Sequence, residues 1–424
     1  MKVLNGLLCV SAAVLALAIC GCEKASKSGS SGSDDSRSSE SSAFTGKFSP
    51  KVHEDAEIAI GLNLDQQKLV KIGESFFDQV SAMAEDADDK KMIAERKEKF
   101  KVFVKEPFEN KDLIRQAIKG NESFFEVVAT RLRKAKIGWA VVSAEGIESE
   151  DGHTESKTTP EIALAVATDI DMEEIVAHAK QKAGEGVRRN FVLEECTVAD
   201  EKAWRIVPQE KRHRLKLEIM NIEPCFTALD GGLFLIASNR SALKKQIRLY
   251  RKGQGQGRLL GEFKPAHGDL FRFAAKDLGR VLNSVPSRKL DNLVPRILPR
   301  DLLRQFKGVN LSLTAKSGST VALALRLHTM SAENAADLRA MAKRGMEAFC
   351  SRLPETRADT IKRMKIAGTG DVFEVEVNDL LPVLAIIVAP SSSTNPSGKH
   401  VSTTVESVKC ARNLRALAQA AALE

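Results

Sequence analysis

Alternation with a period of two marks two stretches of the chain. From Ile137 the sequence reads IGWAVVSAEG and, after a polar insertion, EIALAVATDIDMEEIVAHAKQKA; from Lys307 it reads KGVNLSLTAKSG and then STVALALRLHTMSAENAADLRAMAKR. Each stretch predicts a strand, a turn, a second strand and an amphipathic helix. In the second strands Ile162, Leu164 and Val166 alternate with alanines, and Val321, Leu323, Leu325 and Leu327 alternate with Ala322, Ala324, Arg326 and His328. Period two places the large residues on one sheet face, which the helices are expected to cover. Asp171 and Glu174 have capping-box spacing, and Ser331 is placed to cap a helix over 332–344.

A further strand pair follows each helix. PCFTALDGGLFLIAS sets Asp230, Gly231 and Gly232 between two apolar runs, a hairpin signal because a tight primed turn needs positive φ. A helix bearing Leu243, Ile247 and Tyr250 comes next, starting near Ser238 or Asn239. Farther on, IKRMKIAGTGDVFEVEV carries Gly368 and Gly370 at its turn. Entry strands begin at Ala56 and Gly268, and the first leads into a helix with Leu69, Ile72, Phe76, Val80 and Met83 on one face. The expected fold class is α+β: two related units, 51–252 and 262–390, each a mainly antiparallel sheet with helices packed on one face. DLLPVLAIIVAP, from Asp379, is too short to span a bilayer and predicts a buried strand or helix. The tail 391–424 predicts a linker and a C-terminal helix with Val408, Leu414, Leu417 and Ala421 on one side.

The segment ALDGGLFLIAS, from Ala228 to Ser238, followed by a helix that opens with Ser241, Ala242 and Leu243, resembles a family of uncharacterised bacterial envelope proteins with duplicated α+β units. The likeness spans roughly residues 50 to 385. It implies a fold and a location and brings no catalytic residue.

The amino terminus gives a separate indication. Lys2 precedes an apolar run from Leu7 to Ile19, the pattern of a secretory signal. The run ends Ile19-Cys20-Gly21-Cys22, which resembles the lipobox of bacterial lipoproteins, with signal peptide 1–21 and Cys22 as the lipidated residue. The resemblance implies a diacylglyceryl thioether on Cys22 and an acylated amino group, enough buried methylenes for stable membrane attachment. Glu23, rather than Asp, favours the outer membrane over the inner. Region 22–50 is a linker: ten of the seventeen residues 26–42 are Ser, with no apolar face to repay ordering. Its end-to-end distance is about 25 to 30 Å.

Composition narrows the function classes. A hydrophobic share of 43% with 28% charged residues in 424 describes a globular chain and excludes wholly disordered and polytopic membrane proteins. With 18 Phe but 2 Trp and 1 Tyr, stacking platforms for sugars or single strands lose weight. A net charge of +8 is mild for a nucleic-acid binder, so no nucleic-acid partner is expected. The charge is concentrated instead: Arg240, Lys244, Lys245, Arg248, Arg251, Lys252 and Arg258 fall in a stretch with no acid. The first six form a candidate surface for an anionic lipid or glycan. Behind the targeting segment stand Cys196, Cys225, Cys350 and Cys410, none in a C-x-x-C pair. Cys196 and Cys225, on neighbouring predicted strands, suit either a disulfide or two buried small hydrophobes.

Catalytic signals are sparse. Ser241-Ala-Leu-Lys244 matches S-x-x-K, and Lys316-Ser317-Gly318 resembles the K-[ST]-G strand of penicillin-binding proteins, but the two fall in different units. Gly253-Gln-Gly-Gln-Gly257 follows a helix, the wrong order for a dinucleotide site, and reads as an interdomain linker. The seven histidines never pair at metal-ligand spacing, and no cofactor or metal is expected. The leading reading is a membrane-anchored cell-envelope lipoprotein with a non-catalytic binding or scaffolding role, whose partner is an envelope protein or an anionic lipid or glycan. The alternatives are a periplasm-facing ligand-binding protein with its site between the units, and a serine hydrolase in which Ser241 meets Lys316.

Overall fold

The structure is a computed structural model that describes residues 47–84, 86–105, 137–146, 160–169, 191–209, 222–261, 263–277, 306–317 and 319–388, with isolated positions between 171 and 177 and between 211 and 217. The signal segment with Cys22, most of the serine-rich linker, Cys410 and the C-terminal helix lie outside the described residues.

Twelve strands form one sheet: β1 (Ile58–Asn63), β2 (Ile137–Glu145), β3 (Glu161–Thr168), β4 (Phe191–Val198), β5 (Glu201–Pro208), β6 (Cys225–Leu229), β7 (Leu233–Ala237), β8 (Asp269–Lys276), β9 (Phe306–Ala315), β10 (Val321–Thr329), β11 (Lys365–Ala367) and β12 (Val372–Val377). Their order is β11-β12-β10-β9-β8-β1-β2-β3-β7-β6-β5-β4, antiparallel at every pairing. With the helices α1 (Gln66–Met83), α2 (Ala87–Lys105), α3 (Arg240–Lys252), α4 (Ala332–Cys350), α5 (Glu355–Lys362) and α6 (Leu380–Val388), the architecture is mixed α+β. Read outward from the β1–β8 seam, β1-β2-β3-β7-β6 on one side matches β8-β9-β10-β12-β11 on the other. The seam runs from Ile58↔Ala275 to Leu62↔Phe271, so the two expected sheets are one continuous sheet.

Alternation fixes the two faces. Ile236, Leu164, Val142, Ile60, Phe273, Leu311, Leu325 and Val375 stand directly opposite one another along one row that crosses the seam. On the second half of this face α1, α4, α5 and α6 pack against Leu313, Leu323, Val375 and Val377. The neighbouring row, on the opposite face, reads Leu235, Ala165, Val141, Gly61, Arg272, Ser312, Ala324 and Glu376. It turns from apolar to mostly polar at the seam, and α3 covers its apolar half through Leu243, Ile247 and Tyr250. Helices therefore lie on both faces, where the alternation of the second strands alone predicts one. The reason is local: the β7 run LFLIA is apolar at every position, so Leu235 and Phe234 both need cover on opposite sides.

Several local expectations hold in the fold. Ser331 caps α4 by accepting from the Asn334 N–H at 3.1 Å, and Gly231 and Gly232 take φ of 105° and 85° at the β6–β7 turn. The apolar run from Asp379 is the buried helix α6, and among the described residues no helix is long and apolar enough to cross a membrane. Cys196 on β4 and Cys225 on β6 are not neighbours: β5 lies between them, a separation of about two strand spacings, roughly 9–10 Å. That exceeds the roughly 4.4–6.8 Å a disulfide spans, and both thiols are free. Burial pushes the Cys225 thiol up to about 12.

Candidate functional site

Helix α3 carries the site. Asn239 starts it, its side chain accepting from the Ala242 N–H at 2.8 Å, and Gly253 ends it at φ 67° with its N–H on Leu249 O. Between these caps the residues sort by angle. Ala242, Leu243, Gln246, Ile247, Leu249 and Tyr250 are buried against the sheet. Arg240, Lys244, Arg248 and Lys252, each four apart, form a ladder on the exposed side. At 1.5 Å per residue it is about 18 Å long.

The six basic residues expected to act together are divided by this geometry. Arg240 pairs with Glu223 at 3.3 Å, whereas Lys244, Arg248 and Lys252 have no acidic partner among the described residues. Arg251 is held by Glu201 at 2.7 Å, with Asp230 at 3.9 Å. Lys245 turns to the sheet, where its ammonium bonds Glu145 and, at 2.9 Å, Glu161. Arg240, Ser241, Lys244 and Arg248 line one side of an open groove whose other wall is the β4–β5 turn, Thr197 to Asp200. Ala199 and Asp200 both have positive φ there, the geometry of a tight two-residue hairpin turn. Asp200 is the one carboxylate among the described residues lining the groove.

Glu145 and Glu161 are the last cross-strand pair of the β2–β3 hairpin. Two carboxylates directly opposite repel. Here burial, and then the hydrogen bond with Glu161, push Glu145 up to about 7. Burial acts upward on Glu161 too, but hydrogen bonds from Glu145 and Lys245 outweigh it and hold this carboxyl well below its usual range. Glu145 thus keeps the proton that the pair shares. Burial acts downward on the Lys245 ammonium, but the two carboxylates outweigh it and its affinity for the proton rises. The neighbouring His53 lies with Nδ1 3.5 Å from Asp55 and 3.9 Å from Glu145.

His53, Asp55 and Glu145 offer ligand atoms within 4.8 Å of one another, a donor set suited to a divalent cation. Lys245 already occupies this position, with Asp55 at 3.9 Å, and the Asp55 N–H donates to His53 Nδ1 at 3.3 Å. The cluster therefore neutralises itself, and the cavity beside it, about 10 Å³, has room for about one water. Its chemistry is to hold a proton and to fasten α3 to the sheet.

The glycine-rich run after α3 also takes part. Glu54 N–H bonds Gly255 O at 2.7 Å, Gly257 N–H bonds Val52 O at 2.7 Å, and a Cβ at Gly255 would lie 2.4 Å from His53 Nε2. Rather than a free linker, the run is the surface on which residues 52–54 pair.

Ser241 and Lys316 are not brought together. Ser241 bonds Glu161 at the start of β3, while Lys316 follows β9, four strand spacings or roughly 19 Å away and at the opposite strand ends, with its Nζ on Asn378 at 2.9 Å. The groove and the small cavity both lie in the first half of the sheet, not at the seam between the halves.

Sequence reasoning missed His53, Asp55 and the Glu145–Glu161 pair. The two glutamates end and begin the strands IGWAVVSAE and EIALAVAT, so hairpin register alone would have set them opposite, but the long polar insertion hid that register. Comparison with protein families, with curated proteins and with solved structures finds no match for this chain.

Proposed function

We propose that the chain is a lipid-anchored protein of the bacterial cell envelope with a non-catalytic binding or scaffolding role, built from two copies of one α+β unit. Its anchor is the thioether lipid on Cys22, and Glu23 directs it to the outer membrane. The matching strand orders on either side of the seam, together with the repeated sequence pattern, support the duplication. The binding role rests on one observation: α3 presents a ladder of cations, three of which have no acidic partner among the described residues. Lys245 and Arg251, by contrast, are held within the fold. The function is therefore to hold the body at the envelope and to present the ladder to an anionic partner.

Growth of expressing bacteria with an alkynyl fatty acid tests the anchor. The full chain takes up the label and fractionates with membranes, and Cys22→Ala abolishes the labelling. An unlabelled wild-type chain, or a Cys22→Ala chain labelled equally, contradicts the reading.

A further inference from the structure

The first described residue, Lys47, donates its backbone N–H to Gly231 O at 3.1 Å, at the β6–β7 turn. The chain then runs beside the C-terminal end of α3. There the Tyr250 hydroxyl donates to the Lys51 carbonyl and accepts from the Lys51 N–H, both at 3.2 Å, and Trp139 Nε1 donates to Phe48 O at 3.2 Å. Residues 47–51 are thus strapped to the body next to the end of the ladder that bears Arg248 and Lys252.

We propose that Lys244, Arg248 and Lys252 dock the body onto the anionic phospholipid headgroups of the same membrane that holds its lipid anchor. The proposal rests on the anchor reading above and names the partner of the ladder. Three features of the ladder select a surface over a small ligand. Lys244, Arg248 and Lys252 are all exposed and rise about 12 Å along the helix, drifting about 40° per step, so they face one side together. The groove beside them is open, unlike a pocket that encloses most of its ligand. The chain's two Trp and single Tyr are all buried, so no exposed Trp or Tyr is available to stack sugars or bases. The tether then selects the membrane. Only 24 residues separate Cys22 from Lys47, where the chain joins the body beside α3, and a connection that short keeps the ladder close to the surface holding the anchor. A lipid anchor at the end of a tether leaves the orientation of the body free, and a basic patch that meets anionic headgroups fixes it.

The test uses the full lipidated chain reconstituted on phosphatidylcholine vesicles, with and without about one quarter phosphatidylglycerol. Lysines are acylated with a neutral reagent and read by mass spectrometry. Lys307 and Lys365, exposed in the second half, serve as internal references. Labelling of Lys244 and Lys252 falls about threefold on the anionic vesicles while the references stay level. Equal labelling on both vesicles, or an equal fall at all four lysines, overturns the proposal. So does protection of Lys244 and Lys252 by added peptidoglycan on neutral vesicles with none from phosphatidylglycerol, which assigns the ladder to a glycan. Failure of the anchor reading looks different: the chain does not float with neutral vesicles, and the ladder is then judged by labelling on anionic vesicles against the vesicle-free chain.

Discussion

Glu145 is the residue at which burial, hydrogen bonding and register act on one proton. Its folded-state pKa of about 7 lies above the ordinary 4.5, so between these values the native state binds more protons than the unfolded chain and stability declines as pH rises. Glu161 has the opposite sign: its contribution is present above about 4.5 and is lost as pH falls toward about 2. Glu145→Gln keeps a donor for Glu161 and removes the titration. Thermal midpoints measured across this range should show the variant gaining on wild type from about pH 4.5 to 7; a constant difference would mean that the pair does not share a proton. At this scale the sequence was only partly legible. The six basic residues were visible as a cluster, but a linear count cannot tell Lys244 from Lys245. Adding the helical angle set by buried Leu243 and Ile247 would have separated them.

At the scale of elements, α3 is held by its caps, its apolar face and two charged contacts to strands. Removing the Asn239 side chain deletes the hydrogen bond to the Ala242 N–H. Asn239→Ala should cost about 1 kcal/mol by denaturant unfolding, and Asn239→Ser should recover most of it. A cost near zero would show that the sheet contacts alone define the helix start. The strand pairs and the helices α1, α3 and α4 were legible because period two and caps are local properties of sequence, whereas the helix expected after Asp171 lies mostly outside the described residues. Which face each helix covers was not: α3 and α4 choose opposite faces because β7 is apolar on both sides, whereas the exposed face of β10 carries Arg326 and His328. The pairing of residues 52–54 with the glycine run joins positions some 200 apart in sequence, and no local pattern announces it.

At the scale of the molecule, the β1–β8 seam makes one sheet of the two halves. Ile60 opposite Phe273 continues the apolar row across it without interruption. Unfolding in urea should therefore be a single transition. Both Trp residues lie in the first half, at 139 and 204, so tryptophan fluorescence reports that half while far-ultraviolet circular dichroism reports both. Coincident midpoints are expected, and a fluorescence transition separated from the dichroism transition would mean that the halves unfold independently. The strand alternation on both sides of the seam was legible in the sequence, but a sheet continuous through β1 and β8 depends on an edge pairing that no single strand encodes.

The basic residues of α3 divide into a ladder, proposed to meet an anionic surface, and a pair, Lys245 and Arg251, that fastens the helix. This division is tested by diluting the full lipidated chain from detergent into one suspension of neutral phosphatidylcholine vesicles and phosphatidylglycerol-bearing vesicles and reading which vesicles capture it, with thermal midpoints read alongside. Wild type should favour the anionic vesicles by about tenfold, and Lys244→Glu with Arg248→Glu should abolish that preference while leaving the midpoint in place. Lys245→Met with Arg251→Met should keep the preference and lower stability by about 1–3 kcal/mol. An even wild-type partition, or a preference that survives reversal of the ladder and disappears with Lys245 and Arg251, would contradict the account.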